Sequence, residues 1–304
     1  MDVPVMHGGA SPFAPADWMS EGQRRVERAL SEWVVRASPA DLGEVMRYAV
    51  LDGGKRLRPL LVLAACMAVR GNHEAALRAA CAVELIHAYS LVHDDLPCMD
   101  NDVLRRGKPT VHVRYGEARA LLAGDALQAL AFELLTPDEG VPPAMQAELC
   151  RLLARAAGAH GMAGGQAIDL ASVGQTLSEG QLRQMHRLKT GAVLKASVLM
   201  GAACGAHEVR ARQALVQYGE AVGLAFQVMD DVLDVTQDSA TLGKTAGKDA
   251  ACCKPTYVTL MGLEGARAHA QALLQEALQA LRASGLVQTH ALVALAEMVV
   301  NRTH

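Results

Sequence analysis

The chain has 304 residues, of which 51% are apolar and 20% charged, so it can bury a large core. This composition argues against a disordered or fibrous protein. With 29 basic and 32 acidic residues the net charge is −3, so the overall charge does not point to nucleic acid. Any site for a polyanion must therefore be local.

The start of the chain carries no pattern of a targeting segment. It has an acid at Asp2 and no basic stretch followed by an apolar one, so we expect residues 1–20 to form a flexible tail. The longest apolar run, 60–69, is much shorter than the ~20 residues of a membrane-spanning helix, so we expect no membrane span. Seven cysteines without a CxxC pair predict reduced thiols and a cytoplasmic protein, and argue against structural zinc.

The elements predicted along the chain are helical. Aromatic residues are few (2 Trp, 5 Tyr and 3 Phe), and apolar residues recur at three-to-four spacing with no strand-like alternation of comparable length. The predicted helices cover 21–36, 41–50, 58–70, 75–96, 117–135, 144–158, 179–204, 208–235, 256–282 and 288–301.

The breaks between these helices are short, so we predict one all-α domain over residues 21–304. The stretches 60–69 and 219–229 are apolar nearly all round. They should lie at the centre of a bundle or against a second copy, and we expect a homodimer.

Two acidic clusters interrupt apolar helices. In the second, Gln227, Asp230, Asp231 and Asp234 follow i, i+3, i+4 and i+7 spacing, which puts an amide and three carboxylates on one stripe. Like charges at this spacing repel each other unless a cation lies between them. The core-type residues on both sides argue against a solvated acidic face.

The first cluster contains Asp94, Asp95 and Asp100. In a regular helix Asp94 and Asp100 would lie about 120° from a common face. Pro97 cannot continue the hydrogen-bond ladder, so we expect the helix to end there and Asp100 to return towards Asp94 from a loop. Clusters of Asp without convergent His or Cys fit Mg²⁺, which joins one or two carboxylates to a substrate phosphate.

Basic residues lie beside the acidic clusters. The segments 53–59 (GGKRLRP) and 105–110 (RRGKPT) each carry three cations of the kind that bind phosphate. A nucleotide P-loop is excluded, because Asp238 stands where its first glycine is required. His87 lies on the face of Asp94, about 10.5 Å up the helix, although a lone histidine is more often a core residue.

Together these features predict a site for a diphosphate attached to a hydrocarbon. Mg²⁺ with arginine and lysine stabilises the charge that develops on a departing diphosphate. An apolar lining keeps water away from a carbocation.

Six motifs occur in a characteristic order, and these are GGKRLRP at 53–59, DDLPCMD at 94–100, GGQAIDL at 164–170, KTG at 189–191, FQVMDDVLD at 226–234 and LGK at 242–244. They resemble the trans-prenyl diphosphate synthase family, most of all its bacterial farnesyl members. The resemblance implies an isoprenoid synthase helical bundle around a central cavity, usually as a homodimer.

The resemblance also implies the roles of individual residues. Three Mg²⁺ ions would be held by Asp94, Asp95, Asp100, Asp230 and Asp234, with Asp231 completing the catalytic acids. The allylic diphosphate would contact Arg105, Lys189, Thr190, Gln227, Lys244 and Lys254. Isopentenyl diphosphate would contact Lys55, Arg58, His87 and Arg106.

The implied reaction is a Mg²⁺-dependent head-to-tail condensation of isopentenyl diphosphate with dimethylallyl and then geranyl diphosphate to farnesyl diphosphate. Tyr89 and Ser90, just before the first acidic cluster, are the implied determinants of chain length, although a helical wheel puts Tyr89 about 140° from Asp94. Lys248 and Asp249 resemble geranylgeranyl synthases, which keeps a geranylgeranyl or geranyl product open. A class I terpene cyclase and a non-catalytic regulatory subunit are the remaining alternatives.

Overall fold

The computed structural model describes residues 13–51, 53–175, 177–206, 208–237 and 256–302. The helices in these ranges are α1 Pro15–Trp33, α2 Leu42–Val50, α3 Leu57–Ala68, α4 His73–Asp94, α5 Val111–Tyr115, α6 Glu117–Leu135, α7 Pro143–Ala157, α8 Met162–Ala171, α9 Glu179–His186, α10 Ala192–Ala203, α11 Val209–Thr236, α12 Tyr257–Ala283 and α13 His290–Asn301. A 3₁₀ turn, Pro39–Asp41, precedes α2, and a π-helical turn, Arg187–Gly191, joins α9 to α10.

Helices α3 and α10 lie at the centre of the bundle. One apolar cluster joins them to α11, α12 and α13, and another joins them to α1, α4, α6 and α7. All of 60–69 except Met67 is buried, and most of 219–229 is buried as well. Both stretches therefore lie at the centre of the bundle, and their apolar character does not by itself indicate a second copy of the chain.

Two predicted boundaries need correction. Helix α1 begins at Pro15, a residue suited to the first helical turn, so residues 15–20 are helical rather than part of a tail. The segment predicted as one helix over 179–204 is divided by the π-helical turn.

Helix α8 lies outside the predicted helix ranges, and its Gly164 and Gly165 lower its helix propensity. Tertiary contact explains the second glycine, since a Cβ on Gly165 would lie 2.1 Å from the backbone nitrogen of Lys189.

A short hairpin positions the second basic segment. Strand β1, Leu104–Arg105, pairs antiparallel with β2, Lys108–Pro109. The two turn residues, Arg106 and Gly107, both have positive φ (53° and 73°), the combination found in type I′ turns. The hairpin thereby holds Arg105 and Arg106 over the C-terminal end of α4.

Among the described helices, α4 is long and apolar enough to cross a membrane by length and composition. However, 67% of its most apolar window is buried inside the protein. It packs against α3 and α6, as a core helix of the bundle does.

Candidate active site

The first acidic cluster lies at the C-terminal end of α4. The helix ends at Asp94, and the following turn brings the Asp100 nitrogen to 2.8 Å from the Asp94 carbonyl oxygen, as predicted from Pro97. Burial raises the pKa of Asp94 to about 6, and the nearby Asp100 charge adds to this shift. Two carboxylates are therefore held close together where a cation would relieve their repulsion.

Asp95 differs from this expectation. Its carboxylate accepts hydrogen bonds from Nε and Nη2 of Arg105 at 3.0 and 2.6 Å, and its side chain is buried. The structure thus gives the Asp95 carboxylate a guanidinium partner, Arg105. Sequence spacing cannot tell these roles apart, because neighbouring helical residues point in different directions.

The second acidic cluster divides in the same way. Asp231 accepts hydrogen bonds from Gln227 Nε2 at 2.9 Å and from the backbone nitrogen of Tyr257 at 2.8 Å, so it holds the start of α12. Asp230 lines an open cavity and pairs with Arg302 at 2.6 Å, and Asp234 is buried. Asp231 thus links α11 to the start of α12.

The four residues predicted to bind isopentenyl diphosphate line one cavity of about 700 Å³. We call it the substrate cavity, and it contains Lys55, Arg58, His87 and Arg106 together with Arg105, Thr190 and Asp230. Burial lowers the pKa of Lys55, Arg58 and Arg106, and it lowers that of His87 well below the ordinary value. These groups are crowded cations beside a neutral imidazole, so an anion would stabilise them.

The glycines at the start of the 53–59 motif shape this cavity. Gly53 and Gly54 have φ of 143° and 103°, which side-chain-bearing residues rarely adopt. The Gly53 carbonyl accepts a hydrogen bond from Arg106 at 2.8 Å, and a Cβ on Gly54 would lie 2.9 Å from the same guanidinium. The loop therefore needs glycine in order to lie against Arg106.

Arg56, the middle cation of the motif, does not point to substrate. Its buried guanidinium forms ion pairs with Glu84 and Glu27, both at 2.5 Å, and donates to the Val50 carbonyl oxygen at 2.7 Å. By contrast, the buried Nε of Arg58 has no hydrogen-bond partner among the residues that the structure describes. Arg56 is thus used in ion pairs inside the protein, whereas Arg58 lines the substrate cavity.

The π-helical turn presents the KTG motif to the site. Lys189 Nζ lies 2.6 Å from Asp169 Oδ2, which links the turn to the GGQAIDL segment in α8. The Thr190 hydroxyl donates to Gln227 Oε1 at 2.9 Å, and Gln227 donates in turn to Asp231. Single π-helical turns are often found at functional sites, and this one links α8 and α11, the helix of the second acidic cluster, to the cavity.

A second cavity, of about 400 Å³, meets the substrate cavity at Arg58, His87, Leu91 and Thr190. We call it the chain cavity. Its polar end contains Asp94 and Lys189, while Tyr89, Ser90 and Met162 lie among its more apolar walls. Tyr89 stacks edge-on against His93 with ring centroids 5.7 Å apart. The structure thus places both predicted chain-length residues at the cavity, which the helical wheel did not establish.

Comparison with known proteins identifies the family. The family described as Polyprenyl synthetase matches residues 39–293. The chain belongs to this family.

Its relatives include farnesyl diphosphate synthase from Haemophilus influenzae, 45% identical over 93% of this chain and 97% of that protein. Geranylgeranyl pyrophosphate synthase from Capsicum annuum is 45% identical over 96% and 79%, respectively.

Solved structures agree with this assignment. An FPP/GFPP synthase from Zymomonas mobilis is 41% identical with a TM-score of 0.85, covering 94% of this chain and 98% of that one. A geranyltransferase from Helicobacter pylori, complexed with magnesium and isoprenyl diphosphate, is 36% identical with a TM-score of 0.83, covering 97% and 98%. The predicted family, the all-α fold and the prenyltransferase class of enzyme are confirmed.

The donor set of this polyprenyl synthetase suits Mg²⁺. The carboxylates of Asp94, Asp100 and Asp230 are hard oxygen ligands beside cationic side chains. Within the described ranges no three acidic, imidazole or thiol groups converge on one point. A bound Mg²⁺ commonly takes one or two carboxylates from the protein and its other oxygens from water and the substrate diphosphate.

Sequence reasoning missed Arg302, two residues from the end of the printed sequence. Its Nη2 lies 2.6 Å from Asp230 Oδ1, and its guanidinium stacks 4.1 Å from the centroid of the Phe226 ring. Arg302 also lines the substrate cavity. No local pattern marks it, because its partners lie more than 70 positions away. Two predicted residues, Lys244 and Lys254, lie outside the described residues.

Proposed function

We propose that this chain condenses isopentenyl diphosphate with dimethylallyl and geranyl diphosphate and releases farnesyl diphosphate as its main product. The observation that carries this proposal is the junction of a cationic cavity with a more apolar one at Arg58, His87 and Thr190. Two diphosphates with hydrocarbon tails need such an arrangement. A terpene cyclase takes one diphosphate and has no use for the second cationic cavity.

In this proposal, different cationic residues bind the two diphosphates. Lys55, Arg58 and Arg106 hold the diphosphate of isopentenyl diphosphate, and Arg105 and Lys189 hold that of the allylic substrate. Bound Mg²⁺ supplies charge neutralisation for the departing diphosphate, with three ions as our proposal.

Asp94, Asp100, Asp230 and Asp234 are the proposed ligands of these ions. Asp95 orients Arg105, and Asp231 orients Gln227 beside Thr190. The surrounding apolar residues exclude water from the reacting carbons.

The deciding experiment incubates the purified protein with Mg²⁺, isopentenyl diphosphate and either dimethylallyl or geranyl diphosphate. Phosphatase-treated products are then identified by mass spectrometry. We expect a C15 alcohol from both starters, and no product in EDTA. A C20 main product would support the geranylgeranyl alternative, which the 45% identical Capsicum annuum relative favours. Absence of condensation would support a regulatory subunit.

Arg58→Gln tests the substrate cavity. The unpartnered buried Nε is proposed to bind diphosphate, and charge-assisted hydrogen bonds are worth more than neutral ones. We expect the KM for isopentenyl diphosphate to rise about tenfold to a hundredfold. Arg24→Gln, on the exposed face of α1, is the matched control. An unchanged KM for isopentenyl diphosphate would remove Arg58 from the site.

Tyr89→Ala tests the end of the chain cavity. Removing the ring opens space beside His93, so we expect the product to shift from C15 towards C20 or longer. The control is Tyr89→Phe, which keeps the ring and should retain C15. Product lengths are read from mass spectra. Identical spectra for wild type and Tyr89→Ala would contradict the assignment.

We further propose a cytoplasmic homodimer. Leu121 and Leu122, on α6, are 48% and 55% exposed, an apolar pair that a second copy would cover. Light scattering should give twice the chain mass of 32.1 kDa. A monomer mass at working concentration would contradict this arrangement.

A further inference from the structure

A cavity of about 660 Å³ lies outside the site described above, between α7, α10, α11, α12 and the π-helical turn. Basic side chains from four of these elements and from α9 surround it. We call it the arginine cavity, and its cations are Arg151, Arg155, Arg183, Arg187, Lys195 and Arg212.

The arginine cavity has an excess of positive charge. Its six cations face two carboxylates, Glu220 and Glu276. Lys195 pairs with Glu220 at 2.8 Å, and Arg151 and Arg212 both pair with Glu148.

Arg155, Arg183 and Arg187 form no ion pair with any residue that the structure describes. In a chain of net charge −3, this concentration of unpaired arginines favours an anionic ligand.

The inner wall of the arginine cavity is apolar. Leu152, Leu188, Leu199, Leu224 and Leu273 line it beneath the charged rim. A simple inorganic anion would leave this surface exposed to water. We propose that the arginine cavity binds an amphiphile with a diphosphate head and a hydrocarbon chain, at a site separate from the reacting substrates.

The π-helical turn forms a wall shared by this cavity and the active site. Leu188 and Gly191 face the arginine cavity, whereas Lys189 and Thr190 between them face the chain cavity. A ligand in the arginine cavity contacts Leu188 on one side of the π-helical turn. On the other side, Lys189 pairs with Asp169, and Thr190 donates a hydrogen bond to Gln227. If the bound amphiphile shifts the π-helical turn, Lys189 and Thr190 leave the positions that Asp169 and Gln227 give them, and turnover falls. This effect on turnover, unlike binding, rests on the proposed function of Lys189 and Thr190.

Binding is tested on the full chain by calorimetric titration with farnesyl diphosphate in EDTA, which removes metal-bridged binding at the acidic clusters. The background is Lys55→Gln/Arg58→Gln, which weakens the isopentenyl site. Adding Arg155→Gln or Arg183→Gln should raise the Kd about tenfold. The control is Arg282→Gln, at the exposed end of α12 outside the cavity. Its Kd for farnesyl diphosphate should stay within about twofold of the background value.

Two outcomes would overturn the proposal. The first is a Kd that Arg155→Gln and Arg183→Gln leave unchanged. The second is inorganic diphosphate binding as tightly as farnesyl diphosphate, because the apolar wall would then contribute nothing.

Activity is measured separately in Mg²⁺ on the otherwise wild-type chain. Arg155→Gln should keep the initial turnover and lose inhibition by added farnesyl diphosphate. Failure of the proposed function would appear as absent condensation in the wild-type chain, whereas failure of this inference would appear in the EDTA titration.

Discussion

Asp94→Ala should lower the rate of condensation about a thousandfold or more while the bundle stays folded. Asp94 ends α4 beside Asp100 and lines the chain cavity next to Lys189. Losing a ligand of the cation that neutralises a departing diphosphate costs several kcal/mol of transition-state stabilisation, and each ~1.4 kcal/mol is tenfold in rate. The measurement is the steady-state rate at saturating Mg²⁺, with circular dichroism to verify the fold.

A matched acid outside the site separates local chemistry from net charge. Asp138→Ala, in the exposed loop between α6 and α7, removes the same charge and should retain the wild-type rate. Asp230→Ala should resemble Asp94→Ala, because Asp230 lies in the substrate cavity. A wild-type rate for Asp94→Ala would contradict its assignment as a metal ligand.

Arg56→Met should destabilise the protein by about 3–5 kcal/mol in free energy of unfolding. The substitution leaves Glu84 buried, with its side chain 4% exposed, and removes that carboxylate's guanidinium partner. Removing one member of a buried ion pair is costly because the remaining charge stays desolvated. Urea denaturation followed by circular dichroism measures the loss.

Two further variants keep this prediction testable. Arg56→Met/Glu84→Gln removes both charges and should recover part of the lost stability. Arg24→Met, which removes an exposed arginine paired with Glu21, should leave the urea midpoint unchanged. If Arg56→Met unfolds at the wild-type urea concentration, Arg56 is not the structural arginine of the motif.

Much of the fold was accessible from local pattern. Apolar periodicity predicted most of the long helices, and Pro97 predicted the turn that returns Asp100 to Asp94. The prediction failed at α8, where two glycines lower helix propensity and the neighbouring helices stabilise the helix nonetheless. It also failed at the π-helical turn, which local spacing does not distinguish from a regular helix.

The sequence by itself determined the chemistry of this protein. The acidic clusters, the basic motifs and their order indicated magnesium, diphosphates and a hydrocarbon, because these depend on residue type and spacing. Tertiary structure decided which member of each motif faces the substrate. Arg56 and Arg58 are two positions apart, yet Arg56 pairs with Glu84, whereas the buried Nε of Arg58 has no partner in the described part of the chain.

Tertiary structure likewise decided that Asp94 lines the chain cavity whereas its neighbour Asp95 pairs with Arg105. It also brought Arg302 to Asp230 from a remote part of the chain. Side-chain direction on a helix and contacts between remote segments arise only when the helices pack, so no local pattern contains them.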